Sequence, residues 1–247
     1  MGEFYKHSKL VIVTGAAKGI GRYAAHTLAK AGAKLALADT DAERLVKTSG
    51  EIQKLGAEAL AVPTDVRDEK DVRRMVFKAA DRFGQIDALI NDAGIVPHFN
   101  WGIPRWPRVR FLSREFWDRV IQTNLGGTFL CSKHVIPFME ERRAGNIVNL
   151  WGGGRPENHG AAAYVVSKDA IRTFSRFLAE EERAWNICVV AFSPKQAIAT
   201  EDAPEEARKR LPGPESLGNG FVLAAQAGME FSGKTVEHRD GKLVPMD

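Results

Sequence analysis

The chain has 247 residues, 44% of them hydrophobic and 27% charged, with a formal net charge of +4. A chain this long buries about three quarters of its unfolded surface and needs no disulfide staples. Its basic residues interleave with acids, as in DVRDEKDVRR and EEERAW, which describes a mixed-charge surface and argues against a nucleic-acid partner. No apolar run approaches the ~20 residues that cross a bilayer, and the first fifteen residues carry no secretory core, so no membrane partner and a cytoplasmic location are expected.

In chain order, strand-like and helix-like stretches alternate. KLVIVT (9–14) and AKLALA (33–38) are short apolar runs of the kind buried in parallel sheets. AEALAV (57–62), QIDALIN (85–91), NIVNLW (146–151) and NICVVAF (186–192) repeat that character. Between them lie GIGRYAAHTLAKAG, DAERLVKTSGEIQKLG and DEKDVRRMVFKAADRFG, amphipathic and helix-length, the last two opening on a capping Asp. The alternation predicts an α/β class: one doubly wound domain over 1–247, with helices on both faces of a parallel sheet. Residues 96–112 and 194–219 break the rhythm with prolines and read as loops, the second as a partly helical flap. Cys131 and Cys188 show no metal-ligand spacing and read as small packed side chains; no metal site is expected.

Two places carry chemistry. TGAAKGIG (14–21) follows the first strand and opens the first helix. Gly15 permits the tight turn, Gly19 lets backbone approach a pyrophosphate, and Gly21 allows close packing of helix on strand, while the helix N-terminus offers free amides. Asp39, ending the second strand, suits both ribose hydroxyls of NAD and repels the extra phosphate of NADP. Lys18, inside the glycine loop, speaks for that phosphate, so NAD is favoured and NADP is the lesser alternative. The second place is Tyr164 and Lys168, one helical turn apart. A phenol ionises near pH ~10, and a neighbouring ammonium is expected to favour the phenolate, making Tyr164 an acid/base for an alcohol or ketone.

The order of TGAAKGIG, Asp39, PTDVRD (63–68), NDAG (91–94), QTNLGGTF (122–129), YVVSK (164–168) and GKTVEHRDGK (233–242) resembles the short-chain dehydrogenase/reductase family along nearly the whole chain. The resemblance implies a Rossmann-like fold with a seven-stranded parallel sheet, a nicotinamide cofactor, and dimers or tetramers packed through the regions around 115–142 and 160–184. It also implies that Lys18 and Ile20 join Gly15, Gly19 and Gly21 in the phosphate loop. Asp65 and Val66 would contact the adenine, and Asn91, Ala93 and Gly94 would line the ribose side of the cleft. Tyr164 and Lys168 would hold the nicotinamide ribose as well as catalyse. Asn124 would hold a water connecting Lys168 to solvent. Pro194, Ile198 and Thr200 would lie in the stretch that reaches the carboxamide.

The chain departs from the family where it matters most. The usual serine past the fifth strand is replaced by Gly152, beside Trp151. Loss of one such donor commonly costs 10²–10³ in rate, about 3–4 kcal/mol. His159, Asn158 or backbone amides of 152–154 are the candidate substitutes; an unusually slow enzyme, or a cofactor-binding sensor or scaffold, are the other outcomes. Asp92 stands where asparagine is usual, and Pro194-Lys195 where Pro-Gly is usual. Trp151 is expected to narrow the pocket over the nicotinamide. Phe99, Trp101, Trp106 and Phe111, among Arg105, Arg108 and Arg110, suit a bulky or aromatic small-molecule alcohol or ketone if their loop rims the site; a surface loop or an oligomer contact is the alternative.

Overall fold

The computed structural model describes residues 9–97, 106–153 and 160–246. The six expected strands form as β1 (Leu10–Thr14), β2 (Lys34–Asp39), β3 (Ala59–Pro63), β4 (Ala88–Asn91), β5 (Gly145–Leu150) and β6 (Ile187–Ser193), joined by β7 (Thr235–Arg239) and β8 (Lys242–Pro245). Their order is β3-β2-β1-β4-β5-β6-β7-β8, and all pairs are parallel except β7 with β8. The sheet therefore has eight strands, one more than the resemblance implied. The extra strand is a hairpin closed by Asp240 and Gly241, both with positive φ (50° and 74°), the backbone that an Asp-Gly two-residue turn supplies.

The long apolar runs work because the central strands β1, β2, β4 and β6 are covered on both faces. Val11, Val13, Leu35 and Leu37 point into one core with α1 (Gly19–Lys30), α2 (Ala42–Lys54) and α8 (Gly220–Ala224). Leu10, Ile12, Ala36 and Ala38 point into the other with α3 (Glu69–Phe83), α5 (Gly127–Arg142) and α6 (Ala162–Glu181). Asp41 accepts the amide of Arg44 at the start of α2, and Asp68 those of Lys70 and Asp71 at the start of α3, as their positions predict. The flap contains a short helix, α7 (Glu205–Arg210). Cys131 and Cys188 are buried free thiols. Among the described residues no helix is long and apolar enough to cross a membrane, and no metal-ligating cluster occurs.

Strand order reverses between β1 and β4. That switch point opens a crevice at the carboxyl ends of the strands, where ligands of such sheets sit.

Two glycines separate backbone strain from helix propensity. A Cβ on Gly241 or on Gly50, inside α2, would meet nothing within 4 Å. Gly241→Ala should cost about 1 kcal/mol through its left-handed backbone, and Gly50→Ala should stabilise by about 1 kcal/mol. Urea unfolding of the two variants checks this; shifts of the same sign would contradict it.

Candidate active site

The carboxyl ends of β1, β4 and β5 are stitched by polar side chains. Register sets Thr14 beside Asn91 and Asn91 beside Asn149. Asn91 donates to Asn149 Oδ1 (2.9 Å) and Ser132 Oγ (3.3 Å), and Asn149 donates to Ser175 Oγ (2.9 Å). The amide of Asn91, expected along the ribose, is thus turned into a buried ladder between the sheet, α5 and α6. Thr14 Oγ1 accepts the backbone amides of Asp92 and Ala93, both at 3.1 Å, which fixes the loop after β4 against the glycine loop.

A π-helical segment, Gln122–Gly126, joins α4 (Arg114–Ile121) to α5; such bulges are frequent at functional sites. Asn124 sits in it, fully buried. Its Oδ1 accepts from Ile95 N (2.7 Å), and its Nδ2 donates to Ile95 O (3.2 Å) and Ser167 Oγ (2.9 Å). Ser167 in turn donates to Tyr164 O at 2.7 Å. Asn124 therefore locks the β4 loop to the helix that carries Tyr164. Gly94 lies against it, since a Cβ there would come 3.2 Å from Asn124 Oδ1.

Tyr164 and Lys168 lie on the first turns of α6, facing the end of β5. Lys168 is 3% exposed. Its Nζ donates to Leu150 O at 2.8 Å and stands 5.9 Å from the centroid of the Tyr164 ring. A Cβ built on Gly152 would fall 2.9 Å from Tyr164 Oη. Gly152 is thus the residue that faces the phenol. The expected lowering of Tyr164 by Lys168 is not what this packing produces. Burial pushes Tyr164 up to about 12, with Asp92 adding to it. Burial brings Lys168 down to about 8 against the pull of Asp92, and burial raises Asp92 to about 7 against Lys168 and the Gly21 amide. Burial is the largest cause for all three groups, and the Asp92 carboxylate opposes the phenolate directly while supporting the ammonium of Lys168.

The glycine loop has the geometry its spacing predicts. Gly15 and Gly19 have φ of +71° and +61°, and a Cβ on Gly21 would strike Gly15 O at 2.3 Å and Asp92 Oδ2 at 2.7 Å. Ile20 packs on the core. Asp39 accepts from Ala17 N (3.1 Å) and Asp41 N (3.0 Å), which aims its carboxylate across the loop. Lys18 and Gly19 are engaged by Asp202 and Glu201 of the flap, contacts with no local sequence signal. Asp65 is held by Arg67, whose guanidinium keeps it below the usual carboxylate range. Val66 is buried against Gly127. Pro194 follows β6, Ile198 is buried in the core, and the Thr200 methyl lies 3.1 Å from the Cβ position of Gly19, at the phosphate end of the loop.

The Trp151 ring lies 5.6 Å from the Arg172 guanidinium of α6. Trp106 packs edge-on to Phe116 of α4 at 4.8 Å, and its carbonyl would lie 1.9 Å from a Cβ on Gly160. Phe111, Arg108 and Arg110 are exposed, so these members of the expected aromatic rim face solvent. Phe99, Trp101, Arg105, Asn158 and His159 lie outside the described residues.

A family model described as short chain dehydrogenase matches residues 9–210. The chain belongs to the short-chain dehydrogenase/reductase family. This short-chain dehydrogenase is 35% identical over 214 residues to an uncharacterized oxidoreductase of Thermotoga maritima, a match covering 85% of this chain and 79% of that protein. The structure of hydroxysteroid dehydrogenase from Escherichia coli superposes with a TM-score of 0.80 at 28% identity, over 94% of this chain and 96% of that one. NAD+-bound xylitol dehydrogenase superposes with a TM-score of 0.71 at 32% identity, over 77% and 71% of the two chains.

Asp92 provides a pH test of the short-chain dehydrogenase site. Its negative charge disfavours the phenolate and exists only above its own value of about 7. Asp92→Asn should therefore lower the pH at which the Tyr164 phenol ionises, followed by ultraviolet difference absorbance against Tyr164→Phe. An ionisation unmoved by the substitution would show that Asp92 does not act on Tyr164.

Proposed function

We propose that this oxidoreductase is NAD-dependent and interconverts a secondary alcohol and a ketone, with Tyr164 as acid/base. The observation that carries the reading is the Tyr164 hydroxyl, set against Gly152 at the end of β5 and above the ammonium of Lys168. The loop fits a dinucleotide: Gly15 and Gly19 hold its left-handed backbone, Gly21 lets α1 pack against Gly15, the N-terminus of α1 offers amides, and Asp39 bonds to the loop at Ala17. NAD+, when bound, accepts the hydride and brings a positive ring charge. In oxidation Tyr164 takes the hydroxyl proton while the carbinol hydrogen leaves with its electron pair as hydride; in reduction the phenol returns the proton. Lys168 would hold the nicotinamide ribose, and Asn124 and Ser167 fix the turn that carries both residues.

Asp39 supports NAD over NADP. Lys18, the residue that spoke for the 2′-phosphate, pairs with Asp202 in the cofactor-free chain, so the preference rests on Asp39. Gly152 stands where the family's serine would face the phenol, so backbone amides beside it or the substrate's own groups must meet the developing oxyanion. The substrate is a small-molecule alcohol or ketone. The sequence of the 96–112 loop, with Phe99 and Trp101, suits a bulky or aromatic one; Trp106 packs on Phe116 and Phe111 is exposed. A single domain spans 1–247, acting in the cytoplasm.

Tyr164→Phe should retain NAD binding and lose turnover by 10²–10⁴-fold, as measured by NADH formation over a panel of alcohols. Unchanged, negligible turnover before and after that substitution would make the chain a dinucleotide-binding sensor or scaffold. Gly152→Ser should raise turnover only if the phenol yields the few tenths of an ångström that the new Cβ demands.

We further propose a homodimer or homotetramer through α4, α5 and α6. An apolar groove between Ile121, Leu125, Phe129 and Phe174 lies on that face, where Phe129, Val166 and Phe177 are 46%, 48% and 68% exposed. Phe129→Glu should shift the sedimentation coefficient to that of a monomer; a wild-type chain that already sediments as a monomer would overturn the assignment.

A further inference from the structure

The helix that should receive the cofactor phosphates lacks a cap of its own. Lys18, at the N-cap of α1, makes no side-chain cap bond, and the first turn contains no acid, whereas α2 and α3 are each capped by a local Asp. The missing anion arrives from the flap, more than 180 residues away in sequence. Glu201 Oε2 accepts the Gly19 amide at 3.0 Å, and Oε1 lies 3.7 Å from Arg22. Asp202 next to it pairs with Lys18 at 2.5 Å and with Arg44 at 3.2 Å. Thr200 seats its methyl on Gly19. The flap's neck is closed by Ala199 N donating to Pro212 O at 2.8 Å, and Ala199, Ala203, Ala207 and Leu211 pack together inside it.

We infer that Glu201 and Asp202 are an internal substitute for the dinucleotide's pyrophosphate, set on its binding loop, and that they govern the affinity for cofactor by competing with it. Two adjacent carboxylates reproduce the two adjacent negative groups of a pyrophosphate, and they engage the same donors: a helix N-terminal amide and the loop's cation. Both sets of charges cannot occupy Gly19 and Lys18 at once. The cofactor binds only the fraction of molecules whose flap acids have withdrawn, and its apparent dissociation constant is the intrinsic one divided by that fraction. Asp202 also withholds Lys18 and Arg44 from other anions while the flap is seated.

The inference rests on the dinucleotide reading of this loop, and binding measurements separate the two. NAD titrated calorimetrically into the full-length protein should bind Glu201→Gln/Asp202→Asn at least about fivefold more tightly than wild type, and the gap should narrow as salt rises and screens the internal pairs. Adenosine, which carries no phosphate, should bind both proteins alike. Each single variant should show part of the gain, so the test does not depend on the double variant folding. Equal or weaker NAD binding by the variants, with wild type binding normally, would overturn the competition while leaving the dinucleotide site standing. Absence of NAD binding in every form would overturn the dinucleotide reading and the inference with it.

Discussion

One ammonium, Lys168, is held out of water at the carboxyl edge of the sheet, and the site is arranged around it. A buried charge is tolerated only with partners that replace its hydration. Leu150 O supplies one, at the last residue of β5, and Asp92 supplies the opposing charge. The bond to Leu150 ties α6 to β5, so the phenol one turn earlier on the same helix is delivered to the strand end beside Gly152. Asn124 fixes the helix from its other side through Ser167.

Asp92 links this centre to the glycine loop. Its carboxylate lies so close to Gly21 that a Cβ at 21 could not be accommodated, and the Gly21 amide bonds to it. An amide side chain in that place would give the loop its hydrogen bond without the charge. A carboxylate adds a negative group that opposes the phenolate, so among the chain's own groups Tyr164 rests in its protonated form. Proton abstraction then depends on positive charge brought from outside the polypeptide, whereas proton donation to a ketone does not.

The sheet was legible because each of the first six strands is apolar on both faces. Their ends were less so. QIDALIN was expected to pair from residue 85, yet β4 begins at Ala88, because Asp87 uses its carboxylate on the Leu10 amide and on Arg142. The eighth strand was signalled by Asp240-Gly241, but KLVP is too short and too polar-flanked to stand out. The phosphate-loop glycines and the Tyr164–Lys168 spacing could be read because each function lies within one turn of chain. The contact of the Trp151 ring with Arg172 could not, since it joins two elements far apart in sequence.

Charge pairing across the fold was the least legible property. Asp41 and Asp68 announce their capping roles because the amides they accept lie two or three residues on. Glu201 does the same work for α1 from the far side of the crevice, and nothing in TEDAPEE distinguishes an acid that will meet Gly19 from an exposed one such as Glu205, which pairs with Lys209 one turn on. The uncapped start of α1 was the available half of that signal. A helix that opens on glycine and lysine, without Ser, Thr, Asp or Asn, leaves donors whose partner must come from elsewhere in the fold or from a ligand. At the loop proposed to bind phosphates both answers would compete for the same amides, so the absence of a local cap is the feature that the proposed cofactor site and the proposed flap competition share.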